Sequence, residues 1–294
     1  MTRHLVIAGV QRCGTTSLVR LLSELPGVVT SERAIPEPKV LLGDAPPLDT
    51  GSYERALLGR VAPEASVVVE KTTSYLEAAG LPARLVATLP DAHVAVVLRD
   101  PVLRAVSHHR FSTSHGLERR PLLEALEADL RGEHPDAPAS VSMDPFAYVR
   151  RGRYAEALEP WVEVLGAERV HVLVLEHLRA GPTGGPGATT DGAGATVEPR
   201  LATMLGALGL PLAPVPALGT ANAGPSGTAP DADLAAARRL LAPVLEPSIR
   251  LLEARFGLDL TTWRPPGLAT SSGAPAQGVA DDPPLGRVGP GTSP

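Results

Sequence analysis

The chain is poor in cysteine, lysine and aromatic residues. A single cysteine, Cys13, among 294 residues excludes an internal disulfide framework and is typical of a reducing compartment. Of the 27 basic residues, only Lys39 and Lys71 are lysine. Because arginine serves equally well on a solvated surface, these two lysines mark their segments as candidate positions for a compact point charge.

Long apolar runs and an excess of positive charge are also missing. No run approaches the ~20 apolar residues of a membrane-spanning helix, and the N-terminal run is too short for a signal peptide. The net charge is −5, which argues against a general nucleic-acid surface. We therefore expect a soluble, cytoplasmic protein without a membrane or nucleic-acid partner.

The stretch from Leu5 to Leu22 has the order of a phosphate-binding loop. A short apolar run, Leu5–Ala8, is typical of a buried parallel strand; a loop bounded by Gly9 and Gly14 follows, and then apolar residues at helical spacing. Loop amides, the positive end of the helix dipole and hydroxyls at the helix start together favour phosphate. The alternative is an ordinary strand-to-helix turn that is rich in small residues.

The two glycines have the spacing of a P-loop, but one residue departs from it. Thr15 follows Gly14 at the position where nucleoside-triphosphate P-loops carry lysine. The positive charge lies inside the loop instead, at Arg12. This exchange argues against ATP or GTP hydrolysis and favours a different phosphate-bearing donor.

Apolar strands alternate with helical stretches along the chain. Four apolar strands are predicted at residues 5–8, 65–70, 92–98 and 169–175, with a short strand at 28–30. This alternation predicts an α/β fold of three layers, α/β/α, with a central parallel sheet covered by helices on both faces.

The domain is expected to span residues 1–264. A Gly/Thr/Pro-rich insertion at about 181–197 is expected to be flexible, and the tail 265–294 is expected to be disordered. Near the end of the domain, two helices are predicted, Asp231–Leu245 and Glu246–Phe256, because Pro243 and Pro247 should break the helical pattern.

A second phosphate motif begins where the 92–98 strand ends. Arg99 emerges at the strand end, Pro101 opens a helix, and Ser107 lies on that helix. Arg99 and Ser107 can hold a phosphate from two sides, with a bidentate fork and a hydroxyl. Arg104 and Arg110 share the helix face of Ser107, and a solvated surface is the alternative for both.

Two further charged segments lie near strand ends. Prolines on both sides of Glu37 keep this carboxylate on a stiff loop together with Lys39. Lys71 comes directly after the 65–70 strand, at the edge where open α/β sheets bind ligands. For Glu37, the local sequence alone favours a surface-loop residue with no role.

Five segments, taken in order, resemble the sulfotransferase family. They are GVQRCGTTSL, PEPKVLL, VEKTTSYL, VVLRDPVLRAVSHHRF and RGRYAEALEPWVEVLGAERVHVLVLEHL. The likeness is to bacterial members and to heparan-sulfate-type sulfotransferase domains. It implies a P-loop nucleotide-hydrolase-like sulfotransferase fold, the sulfuryl donor 3′-phosphoadenosine 5′-phosphosulfate (PAPS) and no metal.

The resemblance also implies roles for individual residues. The loop that grips the 5′-phosphosulfate end corresponds to Arg12, Cys13, Gly14, Thr15, Thr16 and Ser17. Arg99 and Ser107 match the pair that binds the 3′-phosphate, and Asn222 matches part of a late PAPS loop that lacks its usual basic neighbour here. Glu37 matches the proposed base and Lys71 a lysine near the sulfuryl group and the acceptor.

The residue types suit sulfuryl transfer. Negative charge builds on the bridging oxygen of the departing diphosphate, and Arg12, Thr15, Thr16 and Lys71 supply preorganised donors. A carboxylate such as Glu37 is a suitable base for the acceptor hydroxyl or amine.

We predict a sulfotransferase for a small-molecule or glycan acceptor. The low aromatic content, 3%, leaves little surface for sugar stacking and favours a small metabolite. Two alternatives stay open. A P-loop kinase needs a lysine after Gly14 and a carboxylate for Mg²⁺. A non-catalytic nucleotide-binding relative is suggested by Pro36, Leu41, Leu42 and Thr220, which depart from the family pattern.

Overall fold

A computed structural model describes most of the chain. The described residues are 2–31, 37–43, 45–136, 144–180, 189–190, 196–212 and 231–264. Asn222 and the 265–294 tail lie outside them, as do Pro36 and Thr220.

Five parallel strands form the central sheet. They are β1 (Arg3–Gly9), β2 (Val28–Thr30), β3 (Val67–Lys71), β4 (His93–Leu98) and β5 (Val170–Val174). The strand order is β2-β3-β1-β4-β5, and every neighbouring pair is parallel. The predicted parallel sheet is confirmed, and β1 lies at its centre.

Nine α-helices accompany these strands in the described part of the chain. They are α1 (Thr15–Ser23), α2 (Thr50–Leu58), α3 (Leu81–Thr88), α4 (Pro101–Ser114), α5 (Leu122–Arg131), α6 (Tyr154–Leu165), α7 (Leu175–Ala180), α8 (Pro199–Ala207) and α9 (Asp231–Phe256). None of these described helices is both long and apolar enough to cross a bilayer.

Helices cover both faces of the sheet. The connection from β1 through α1 to β2 and the connection from β3 through α3 to β4 cross the sheet in opposite directions. Since such crossovers are right-handed, α1 and α3 lie on opposite faces. The apolar residues Leu5, Val6, Ile7 and Ala8 of β1 are therefore fully buried from both sides.

The last helix corrects one prediction. Residues 231–256 form one continuous helix that contains both Pro243 and Pro247, rather than two helices broken there. Each proline removes one backbone N–H donor, but buried residues such as Leu241, Leu245 and Leu252 pack this helix against α4, α5 and α6. Tertiary packing outweighs the local helix-breaking tendency.

The predicted insertion contains some regular structure. Thr189–Thr190 and Thr196–Val197 pair as two short antiparallel strands within the 181–197 range. The remainder of that range lies outside the described residues.

Two histidines form a pair at the amino ends of β4 and β5. The Nδ1 atom of His93 lies 3.0 Å from Nε2 of His171, and the ring planes differ by only 18°. Burial, together with the neighbouring His93, lowers the pKa of His171 to about 4. Burial also lowers the pKa of His93, and the positive charges of Arg169 and Arg3 add to that effect.

This pair makes the free energy of unfolding depend on pH. Between pH 6.5 and about 4 the unfolded chain binds a proton at His171 that the native protein does not, so stability falls as the pH falls. One such proton contributes at most ~1.4 kcal/mol per pH unit. Urea unfolding across this range should therefore show a shallower pH slope for His171→Gln than for wild type. His115→Gln, at an exposed position, serves as the control and should keep the wild-type slope. An unchanged slope in His171→Gln would contradict the assignment.

Candidate active site at the carboxyl edge of the sheet

The turn between β1 and α1 is built for an anion. Gly14 caps α1 with φ +85°, no side chain caps the helix, and its first turn carries no acidic residue. Thr15 and Ser17 are buried, and Thr16 is half-buried. Uncapped amides at the positive end of a helix dipole form an anion site.

Cys13 contributes to this loop from the core side. Its thiol is fully buried, 3.9 Å from the hydroxyl of Tyr154, and its backbone N–H donates to the carbonyl of Val10. Burial raises the pKa of Cys13 to about 12, so the thiol stays protonated at neutral pH. Of the residues predicted to hold the donor, Cys13 thus has its side chain in the core rather than at the surface of the loop.

Arg12 links the two predicted phosphate motifs. Its Nε donates to the hydroxyl of Ser107 at 3.1 Å, and its guanidinium lies over the ring of Phe111, 5.1 Å from the centroid. Arg99 approaches from the end of β4, where one of its terminal nitrogens donates to the carbonyl of Arg12 at 3.3 Å. The structure therefore brings Arg12, Arg99 and Ser107 together.

The two guanidinium groups raise the positive potential of this edge. Burial and the charge of Arg99 lower the pKa of Arg12 from its usual value. Among the described residues, neither arginine forms an ion pair with a carboxylate. Two unneutralised, partly desolvated cations beside a hydroxyl are a suitable pocket for a phosphate dianion.

Glu37 and Lys71 meet at the end of β3. The Nζ atom of Lys71 lies 3.1 Å from Oε1 of Glu37, and these side chains are only 8% and 16% exposed. Thr73 donates to the same carboxylate twice, from its hydroxyl at 2.9 Å and from its backbone N–H at 3.0 Å. Glu37 is therefore held in place and mostly enclosed rather than free on a surface loop, and its role stays a prediction.

Neighbouring polar residues serve the scaffold. Asp100 caps α4 by accepting from the amides of Val102 and Leu103, and its second oxygen pairs with Arg238 of α9. Arg104 is fully buried, where it donates to the carbonyl of Tyr148, so the solvated-surface interpretation of this residue is wrong.

Several contacts around the site were not predicted from the sequence. Thr73 holds Glu37, Phe111 packs on Arg12, and the buried Arg151 donates to the side chain of Gln11 at 2.8 Å. Arg151 is fixed in turn by Glu77. The partners in each contact are at least 36 residues apart in the chain, so no local pattern indicates them.

Metal-ligand clusters do not occur in the described ranges. Within residues 2–31, 37–43, 45–136 and the later described segments, no group of three or more His, Cys, Asp or Glu side chains is placed to hold an ion.

Comparison with known proteins assigns the family. The model of the sulfotransferase domain family matches residues 2–185, more than half of the chain. The chain belongs to this family. The match includes the P-loop, Glu37, Lys71, Arg99 and Ser107.

Individual sulfotransferases agree with this membership. Human heparan sulfate glucosamine 3-O-sulfotransferase 6 is 30% identical over 192 residues, which are 63% of this chain and 50% of that protein. The Drosophila melanogaster bifunctional heparan sulfate N-deacetylase/N-sulfotransferase is 25% identical over 198 residues, 60% of this chain and 18% of that protein. The chain thus spans about half the length, or less, of the curated relatives it matches.

The fold agrees with a solved sulfotransferase. The crystal structure of a sulfotransferase from Alicyclobacillus acidocaldarius aligns with a TM-score of 0.64, at 22% identity, over 90% of this chain and 99% of that chain. The predicted sulfotransferase fold is therefore confirmed.

Gly14 should be intolerant of any side chain. An added Cβ would lie 2.6 Å from Cδ1 of Leu175, and the substituted residue would also have to adopt φ +85°. Gly132, at φ +73° with open space around it, is the matched control. Gly132→Ala should cost ~1 kcal/mol from its backbone conformation alone, and Gly14→Ala at least ~1 kcal/mol more. Denaturant unfolding of both variants measures this difference, and equal losses would remove the packing argument.

Proposed function

We propose that this chain is a PAPS-dependent sulfotransferase that transfers the sulfuryl group to a hydroxyl or amine of a small-molecule or glycan acceptor. The observation that carries the proposal is the convergence of two cationic phosphate motifs beside a buried Glu37–Lys71 pair. Family membership supports both the reaction and the donor.

The residues present suit the two charged ends of such a donor. Arg99, after the end of β4, and Ser107, in α4, both contact Arg12 and suit a 3′-phosphate. The first turn of α1 offers backbone amides and the hydroxyls of Thr15 and Thr16 to the 5′ end. Arg12 lies between these two groups and contacts Ser107. When bound, PAPS would supply the sulfuryl group, and its adenosine 3′,5′-diphosphate part would leave with the negative charge that develops.

Glu37 has the position of a general base. Its carboxylate is oriented by Thr73 and Lys71, which removes the need to order it during the reaction. In this role Glu37 accepts the proton of the acceptor hydroxyl, and the ammonium group of Lys71 lies 3.1 Å from the same carboxylate. Lys71 thereby stabilises negative charge that develops on oxygen.

The kinase alternative needs a carboxylate that is free to bind Mg²⁺. Asp100, which follows the end of β4, does not offer one, because both of its oxygens are engaged by α4 amides and by Arg238. Thr15 also stands where a kinase P-loop has lysine.

Two observations bear on the acceptor. The curated relatives carry names of heparan sulfate enzymes, which supports a glycan. The scarcity of aromatic residues supports a small metabolite. A panel of heparan sulfate oligosaccharides, phenols and aliphatic alcohols, assayed with PAPS for release of adenosine 3′,5′-diphosphate, separates these classes.

Calorimetric titration tests the donor directly. Adenosine 3′,5′-diphosphate should bind with a micromolar Kd, while ATP with Mg²⁺ should give no response. The reverse pattern would overturn the proposal in favour of the kinase.

Arg99→Ala should weaken binding of the diphosphate by ~1.5–3 kcal/mol, a factor of about 10–150, because a charge-assisted contact to the 3′-phosphate is lost. Its affinity for adenosine 5′-phosphate, which lacks that group, should change little. Arg60→Ala removes an exposed arginine paired only with Glu64 in the described structure and controls for net charge. If wild type binds both nucleotides equally, Arg99 and Ser107 do not read the 3′-phosphate.

Glu37→Gln should preserve binding of the diphosphate and lower kcat by ~10²-fold or more, because the amide has no basic oxygen to accept the proton. The measurement is turnover with the best acceptor of the panel at saturating PAPS. A variant with wild-type kcat would exclude Glu37 as the base.

A further inference from the structure

Glu70 is a buried carboxylate that the proposed reaction does not use. It is 1% exposed and accepts three hydroxyl hydrogen bonds, from Tyr75 at 2.6 Å, Tyr53 at 2.7 Å and Thr72 at 2.9 Å. It forms no ion pair within the described part of the chain. Burial raises its pKa, while the hydrogen bonds from Tyr75, Tyr53 and Thr72 act in the opposite direction. Removing a carboxylate from water costs free energy, and hydrogen bonds from three hydroxyl groups offset part of that cost.

The same network binds three consecutive backbone amides of another segment. The N–H of Lys39 donates to the hydroxyl of Thr72 at 3.1 Å, and that of Leu41 donates to the hydroxyl of Tyr75 at 2.7 Å. Between them, the N–H of Val40 points to Oε1 of Glu70 at 3.4 Å.

The backbone at Lys39 has an unusual conformation, which these hydrogen bonds help to stabilise. Lys39 has φ +58°, a conformation that residues other than glycine rarely adopt. The turn continues with the N–H of Leu42 donating to the carbonyl of Lys39. Glu37 lies only two residues before Lys39, so the conformation of this turn fixes the position of the Cα atom of Glu37.

One strand end therefore holds Glu37 in two ways. Lys71 and Thr73 contact its carboxylate, whereas Glu70, Thr72 and Tyr75 hold the backbone that follows it. Glu70 and Thr72 alternate along the chain with Lys71 and Thr73, as expected where successive side chains point to opposite sides, and Tyr75 joins the first set from the 3-10 turn that follows.

We propose that Glu70 is a positioning residue, which acts through Thr72 and Tyr75 on the backbone of residues 39–41 to place the carboxylate of Glu37 for proton transfer. This inference rests on the proposed function, in which Glu37 is the base. Tyr75 is the member to test, because its hydroxyl both accepts from Leu41 and donates to Glu70.

The variants are Tyr75→Phe, Glu70→Gln and the control Glu54→Gln. Glu54 is equally a buried glutamate, at 4% exposure, with hydrogen bonds from His4 and from the amide of Ala62 and none to residues 37–42 in the described structure. It reproduces the loss of a buried carboxylate without removing any hydrogen bond to Glu70, Thr72 or Tyr75.

The first readout is amide hydrogen exchange, which needs no acceptor. In Tyr75→Phe the N–H of Leu41 should exchange at least tenfold faster than in wild type, and Glu70→Gln should speed exchange across residues 39–41. Glu54→Gln should leave these amides at wild-type rates. Unchanged protection in both network variants would overturn the proposal even if catalysis is confirmed.

The second readout is a double-mutant cycle on turnover. We expect Tyr75→Phe alone to lower kcat by about tenfold or more while the Kd for adenosine 3′,5′-diphosphate stays within about twofold. In the Glu37→Gln background the same change should have little further effect, because its action passes through Glu37. A merely structural role would instead lower kcat by the same factor in both backgrounds, and that result would contradict the proposal.

The two readouts separate this inference from the proposed function. If exchange of residues 39–41 responds but Glu37→Gln has full activity, the anchoring of the segment stands and the role of Glu37 as base fails, and with it the catalytic purpose assigned to Glu70. If exchange does not respond while Glu37→Gln is inactive, the proposed function stands and the positioning role fails.

Discussion

The site depends on holding two like charges, Arg12 and Arg99, close together, and no carboxylate of the described residues forms an ion pair with either of them. Arg99 donates to the backbone carbonyl of Arg12, and burial together with the charge of Arg99 lowers the pKa of Arg12. Such an arrangement is unfavourable without an anion, so the fold must provide stability elsewhere. It does so with the continuous apolar runs of β1 and β4, which are buried between helices on both sides.

Supporting contacts reach this pair from parts of the chain far beyond the P-loop. Tyr154, at the start of α6, donates to the carbonyl of Arg99 at 2.9 Å, and Arg238 of α9 pairs with Asp100. Trp263 donates to Glu176, which accepts from the amide of Asp100. The family match ends at residue 185, yet residues 231–264 complete the scaffold around the second phosphate motif. The phosphate motif thus lies within the matched range, and residues on both sides of its end support it.

The sequence predicted those features that a local pattern determines. Apolar runs located every strand of the central sheet, and the glycines and charges at the strand ends located the P-loop and the segment after β4. Contacts across long separations were not predictable: Glu37 meets Lys71 and Thr73, more than thirty residues later, and Arg12 meets Ser107 across 95 residues.

Burial was the second property that the sequence did not disclose. Arg104 occupies a polar position of an amphipathic-looking helix, but α4 is covered by α5 and α9, and the side chain is fully enclosed. In α9 the same packing outweighs two prolines that would end an isolated helix. In both cases, tertiary contacts outweigh the structure that the local sequence favours. These contacts depend on how the helices are arranged around one another, which the local sequence does not show.

The strand order places two groups of polar residues on opposite sides of the P-loop. Because β1 lies between β3 and β4, its P-loop has the Glu37–Lys71 pair on one side and the Arg99–Ser107 pair on the other. In the proposed function, a donor held by its phosphates over β1 and β4 would keep its negative charge away from the carboxylate at β3, which would limit the repulsion between Glu37 and the nucleotide. Lys71 adds to this separation of charge, since it comes from β3 and places a cation 3.1 Å from the carboxylate of Glu37. The topology therefore keeps the arginines at the ends of β1 and β4 apart from the carboxylate at β3, and a lysine of β3 itself pairs with that carboxylate.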